Sequence, residues 1–202
     1  MNTVDLSHAQ IHLSKNDIVM QQIVGKIGNV TLTRSSAPHF SLVKTIISQQ
    51  LSSKAASTIG KRFDNKFGKD ISLILNSNES EFREVGISSA KTRYIREILS
   101  HYNENLFFWN NLDDFDDTQI KETLIKIKGV GNWSLDMFMI FSIGRLSIFP
   151  WTDTGIKNAI VKFYPEDYHQ NIEKLIIKWK PYESVACMYL WKALDQGLPS
   201  PI

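Results

Sequence analysis

Leu124-Ile125-Lys126-Ile127-Lys128-Gly129-Val130-Gly131-Asn132-Trp133-Ser134 sets two glycines around one β-branched residue, between two stretches of helical apolar spacing. Glycine tolerates positive φ and lets another chain come close to its backbone. Asn132 or Ser134 can cap the following helix, whose first amide hydrogens then point outward beside the turn. A helix start of this kind suits a phosphate oxygen, and Lys126 and Lys128 add positive charge. An ordinary connection between antiparallel helices, with glycine at the cap, has the same pattern. Asp136 favours the plainer reading, because in the first turn it would oppose an anion. Trp133 and the flanking apolar pattern favour the phosphate.

Outward from this turn the spacing is helical almost throughout. Asp116 with Gln119 reads as a capping box opening a helix over Thr118–Lys126. Downstream, helices are predicted at 132–143, 154–163, 168–178 and 182–195. Upstream, Ser14 opens a helix with Asp17 in a box-like position, followed by Ile18, Ile23 and Ile27. Further helices are expected over Phe40–Gln50, from near Ser53, over Ile71–Leu75 and Ser80–Val85, and from Lys91 to Tyr102. Thr31-Leu32-Thr33 is the only strand-like piece, so the fold class is all-α. Pro150 forces a break, which makes 145–152 a connector between two helical lobes.

The bulk numbers fit this outline. A chain of 202 residues holds one compact unit or two small lobes, and 43% apolar with 22% charged residues is ordinary for a globular protein. A net charge of +2 permits nucleic-acid binding without requiring it. The single cysteine, Cys187, excludes an internal disulfide and a cysteine-ligated zinc or iron–sulfur cluster. The first residues lack the apolar core of a secretory signal, and the run Met137–Ile143 is far short of the ~20 residues of a membrane span. An intracellular protein with no membrane role is expected. None of the five histidines falls in an informative segment, and their default reading is surface or satisfied polar.

Asp153 lies twenty residues beyond Trp133, in Phe149-Pro150-Trp151-Thr152-Asp153-Thr154-Gly155-Ile156. Asp153 stands where the next helix should begin, and its plain reading is an N-cap. A capping carboxylate is also held ionised and oriented by backbone amides, so a second role can coexist. Breaking an N-glycosidic bond builds positive charge on the sugar, which a fixed anion stabilises. The same group could orient or deprotonate the attacking water. Trp133, Trp151, Tyr189 and Trp191 offer faces on which a flipped, cationic base could stack, or they are simply core.

Five segments, in order, resemble the helix–hairpin–helix superfamily of DNA glycosylases, specifically its 3-methyladenine DNA glycosylase II branch. They are Ile46-Ile47-Ser48-Gln49-Gln50-Leu51-Ser52, Gly86-Ile87-Ser88-Ser89-Ala90-Lys91, Lys128–Ser134, Phe149–Gly155 and Tyr189-Leu190-Trp191. The resemblance implies a two-lobed helical bundle with an active-site cleft between lobes. One lobe is a helical barrel at 37–144 carrying the helix–hairpin–helix at 118–143, and the other combines 1–36 with 145–202. It implies a monofunctional hydrolase releasing alkylated purines from double-stranded DNA, acting as a monomer. The setting is then cytoplasmic in a prokaryote or nuclear in a eukaryote.

By position, the resemblance makes Asp153 the catalytic carboxylate. Trp133, Gln49, Gln50, Phe40, Trp151, Tyr189 and Trp191 become the base pocket. Lys128, Gly129, Val130, Gly131, Asn132, Ser134, Ser52, Ser88, Ser89 and Lys91 become DNA contacts. No cofactor is required, though family hairpins can hold a sodium or potassium ion through carbonyls, here those of Ile125, Ile127 and Val130. Bifunctional relatives place a nucleophilic lysine where this chain has Trp133, so strand cleavage through a Schiff base should be absent. The four-cysteine cluster of another branch is absent from the sequence, the amino-terminal β domain of longer members is not expected, and Ser147 stands where relatives often have Asp. The rival reading is a non-catalytic module that grips damaged or branched DNA with the same hairpin. An all-helical scaffold without a DNA role would show no salt-dependent DNA affinity.

Overall fold

The computed structural model describes residues 2–200. Its elements in chain order are β1 (Asn2–Val4), α1 (Ser7–Asn16), α2 (Ile18–Ile27), β2 (Leu32–Arg34), α3 (Pro38–Ser48), α4 (Ser53–Phe67), α5 (Ile71–Asn76), α6 (Glu79–Glu84) and α7 (Ser89–Glu104). There follow α8 (Leu106–Asn110), a single 3₁₀ turn, α9 (Asp117–Leu124), α10 (Asn132–Phe141), α11 (Thr154–Phe163), α12 (Pro165–Gln170), α13 (Ile172–Trp179) and α14 (Glu183–Asp195). The one strand pair among the described residues is antiparallel, with Thr3 opposite Thr33. Among the described residues no helix is long and apolar enough to cross a membrane.

The chain divides into two compact units, Met1–Arg34 with Met139–Ile202 and Ser35–Phe138. The second division falls inside the residues of α10 and not in the expected 145–152 connector. That segment belongs wholly to the terminal unit, because Ser184 donates its amide to the Leu146 carbonyl at 2.9 Å and its hydroxyl bonds Ile148 at 3.0 and 3.1 Å.

In the terminal unit, α14 is buried without interruption from Glu183 to Leu190, so it shows no polar stripe. Leu13, Met20, Ile160, Leu175 and Trp179 pack around it. Asp17 joins the two ends of the chain. Its Oδ1 accepts the amides of Val19 and Met20 at 2.9 and 3.0 Å, capping α2, and its Oδ2 accepts Tyr164 Oη–H at 3.0 Å and Trp179 Nε1–H at 2.9 Å. Burial first, and the Asp17 charge second, push the Tyr164 phenol far above its ordinary range. The Ser14 start is therefore corrected: Ser14 lies inside α1, and Asp17 is the cap of the next helix.

The central unit packs α3 against α4 and α7 over Ile46, Ile47, Phe63, Ile95, Ile98 and Leu99, all essentially inaccessible. The capping box at Asp116 and Gln119 forms as expected, and a second, at Asn78 and Glu81, opens α6. His39 departs from the surface default. It is buried and stacked on Tyr102 with ring centroids 3.6 Å apart, and burial lowers its pKa to about 4.

Candidate functional site

The turn between α9 and α10 closes by two short-range bonds, Ile127 N–H to the Leu124 carbonyl at 3.1 Å and Val130 N–H to Ile127 at 3.0 Å. Its two glycines do different work. Gly129 has φ +92°, and a Cβ there would sit 2.1 Å from Tyr94 Cγ, so the backbone lies directly on the tyrosine ring. Gly131 has no positive φ, and a Cβ would meet nothing within 4 Å. Packing within the protein thus demands Gly129, whereas Gly131 stands at the N-cap position of α10, its carbonyl accepting Leu135 N–H at 3.0 Å. Asn132 and Ser134, both inside the helix, are therefore not the cap expected of them. The space above Gly131 also lets an outside group approach the backbone. Gly131 and Asn132 are exposed, at the start of a helix whose first amides have no acceptor within the helix. The exposed Lys128 stands beside them.

These contrasts predict separable phenotypes. Gly129→Ala should cost at least 2 kcal/mol in urea unfolding, since it strains the backbone and collides with Tyr94. Gly131→Ala should cost no more than about 1 kcal/mol, the loss of a better N-cap residue before α10, while weakening duplex DNA binding in a filter or anisotropy assay.

Asp136 is corrected as well. It lies in the second turn of α10, buried, with Lys121 Nζ of α9 at 3.0 Å. Burial raises its pKa, and Lys121 opposes that rise. The pair ties the two flanking helices together and does not oppose an anion at the helix start.

Several side chains expected at an open surface are turned inward. Ser134 is 1% exposed, and its Oγ accepts Gln49 Nε2–H at 2.7 Å. The same Gln49 nitrogen donates to the Gly129 carbonyl at 3.1 Å. Gln49 is thus a strut for the hairpin, with its amide nitrogen already committed, and Ser134 is its acceptor. Val130 buries its side chain and spends its amide inside the turn, so its expected amide contact is withdrawn. Of the three carbonyls expected to hold a cation, that of Ile127 accepts this amide. Lys91 Nζ donates to the carbonyls of Ile47 and Gln49, both at 2.7 Å.

The remaining central-unit candidates are placed as follows. Ser52 and Ser88 are exposed N-caps of α4 and α7. Ser89 Oγ donates to Glu79 at 2.8 Å. Phe40 is buried with its ring 4.7 Å from His39, Trp133 is half-buried, and Gln50 is exposed at φ +58°.

In the terminal unit, the turn Pro150–Asp153 delivers Asp153 to the start of α11, where it is the N-cap. Its Oδ1 accepts Ile156 N–H at 2.7 Å and Trp191 Nε1–H at 2.9 Å. Both roles expected of Asp153 are therefore compatible, since the bonds that cap the helix also orient a half-buried carboxylate. Gly155 leaves the room for this. A Cβ there would lie 3.0 Å from Asp153 Oδ1 and 3.1 Å from Trp191 Nε1.

Trp191 is thus bound edge-on to the carboxylate, with its ring 5.5 Å from Phe141. Trp151 is half exposed, set edge-to-face on Phe149 at 4.7 Å. Tyr189 is corrected. It has no exposed surface and donates its hydroxyl to the Gly28 carbonyl at 2.9 Å, so it is core and offers no stacking face. Sequence reasoning missed Tyr94 and the steric role of Gly155. The only trace of Tyr94 is its spacing from Lys91, one helical turn away on the same face.

The model of the HhH-GPD superfamily base excision DNA repair protein matches residues 43–181. The chain is 31% identical over 199 residues to the alkylbase DNA glycosidase-like protein mag2 of Schizosaccharomyces pombe, covering 93% of each chain. It is 28% identical to DNA-3-methyladenine glycosylase 1 of the same yeast, covering 93% of this chain and 87% of that one. Among solved structures, S. pombe 3-methyladenine DNA glycosylase (Mag1) in complex with abasic DNA aligns with TM-score 0.83 at 27% identity, covering 94% and 97% of the two chains. DNA-3-methyladenine glycosidase from Bacillus halodurans aligns with TM-score 0.77 at 32% identity, covering 96% and 92%.

Proposed function

The chain belongs to the HhH-GPD superfamily of base excision DNA repair proteins, and we propose that it is a monofunctional DNA glycosylase that hydrolyses the N-glycosidic bond of alkylated purines in duplex DNA. The observation that carries this reading is the Asp153 carboxylate, held through one oxygen by the Ile156 amide and the Trp191 indole. Relatives named for alkylbase and 3-methyladenine release supply the substrate class.

The damaged nucleotide is flipped from the stack, at a cost of a few kcal/mol that a weakly paired lesion reduces. As the base leaves, positive charge grows on the sugar, and the fixed Asp153 charge stabilises it without reorganising. Asp153 also orients the water that completes hydrolysis. An alkylated purine already carries positive charge, so its glycosidic bond needs little acid assistance. The hairpin holds the backbone of the strand through the exposed Gly131–Asn132 backbone and Lys128. Trp133 occupies the position from which a lysine would form a Schiff base, so the product is an unbroken strand with an abasic site.

Incubating the protein with methylated duplex DNA tests the proposal. Free methylated purines should appear by chromatography, and the strand should break only after alkali. Salt-dependent binding with no released base would instead establish a damage-binding module.

A further inference from the structure

The end of α3 is finished by a side chain from another helix. The Ile46 and Ser48 carbonyls accept the amides of Gln49 and Leu51 at 3.3 and 3.2 Å. The Ile47 and Gln49 carbonyls both accept Lys91 Nζ–H at 2.7 Å. The last turn of α3 has no basic residue of its own, so the cation that complements its negative end comes from α7. Burial lowers the Lys91 pKa.

The held turn contains Gln50 at φ +58°, the only non-glycine residue at positive φ among those described. Such a conformation persists where its surroundings over-determine it, and these cluster at working sites. From the same turn Gln49 reaches Gly129 and Ser134 of the hairpin, and Gly129 rests on Tyr94 of α7. Lys91 and Tyr94, one turn apart on α7, thus support the two ends of one closed chain of contacts.

We propose that Lys91 is a positioning residue that locks the Gln49–Gln50 turn to the hairpin, and not the phosphate contact its charge first suggests. Two of its three protons are committed to backbone carbonyls, which fixes the ammonium to the protein and leaves one donor over. The consequence for base release rests on the glycosylase reading; the structural role does not.

Lys91→Met and Lys91→Arg test this, with hydrogen exchange, salt-dependent DNA binding and single-turnover base release read on each. Lys91→Met should speed exchange at the Leu51 and Val130 amides about tenfold, the scale of losing charged hydrogen bonds. Its log–log salt slope should match the parent's, release should slow, and Lys91→Arg should restore exchange and release. A slope smaller by about 0.9 with exchange unchanged would mark a phosphate contact and overturn the proposal. Uniformly faster exchange across Ser35–Phe138 would overturn it equally, as a general structural role. Should Lys91→Met fail to fold, Gln49→Leu cuts the same chain one link later. Val130 should then exchange faster while Leu51 keeps the parent's rate, and an unchanged Val130 would overturn the proposal. A parent that releases no base sinks the glycosylase reading alone, since exchange and slope still decide Lys91.

Discussion

Asp17→Ala is expected to lower unfolding free energy by about 4 kcal/mol, a loss comparable with a third of the total for a typical protein. The substitution leaves Tyr164 Oη–H and Trp179 Nε1–H buried without the acceptor they share. Each orphaned donor costs about 1–3 kcal/mol. The lost cap on α2 adds roughly 1 kcal/mol. For a chain of this size the melting temperature should fall by about 10 °C. Asp17→Asn keeps one carbonyl oxygen for the cap and should lose roughly half as much. Urea unfolding of the three proteins checks the order, and a change below 1 kcal/mol for Asp17→Ala would show that the network does not join the chain's ends.

Asp153→Asn should slow base release by about 10²–10³-fold, the effect of removing one preorganised electrostatic partner from a transition state. The replacement is nearly isosteric. Its carbonyl oxygen can still accept Ile156 N–H and Trp191 Nε1–H, so the cap and the turn survive while the charge goes. Stability should therefore move little. DNA affinity should stay equal or rise slightly, because removing an anion near the phosphate backbone relieves repulsion. A separation of this kind distinguishes chemistry from folding. A carboxylate serving only as a cap would show no kinetic effect, with stability also near the parent's, because asparagine caps a helix about as well as aspartate.

Helices were legible where the signal is local. Asp116 and Gln119, or Asp153 before α11, announce a helix start through bonds three residues long, and those bonds form. Local patterns mislead where distant partners decide. Ser14 and Asp17 look like one box, but Asp17 is claimed by Tyr164 and Trp179, which lie 147 and 162 residues away. The helix expected at 168–178 is two, because Asn171 caps α13 with a bond to the Lys174 amide at 3.1 Å.

The site divides in the same way. The position of Asp153 and the turn at 129–131 could be read from residue types. Whether a polar side chain faces outward could not, since Gln49, Ser134 and Lys91 satisfy one another or the backbone only through packing of α3, α7 and α10. Nor does a tyrosine in the Tyr189-Leu190-Trp191 run disclose that it is core while its neighbour but one bonds the carboxylate.

The most direct test is single-turnover release from a defined duplex carrying one alkylated purine, at saturating protein, for the parent and Asp153→Asn, with Kd measured on the same preparations. The account predicts release slower by about two orders of magnitude or more, with a Kd equal to or below the parent's. An Asn variant that frees the base at the parent's rate would contradict it.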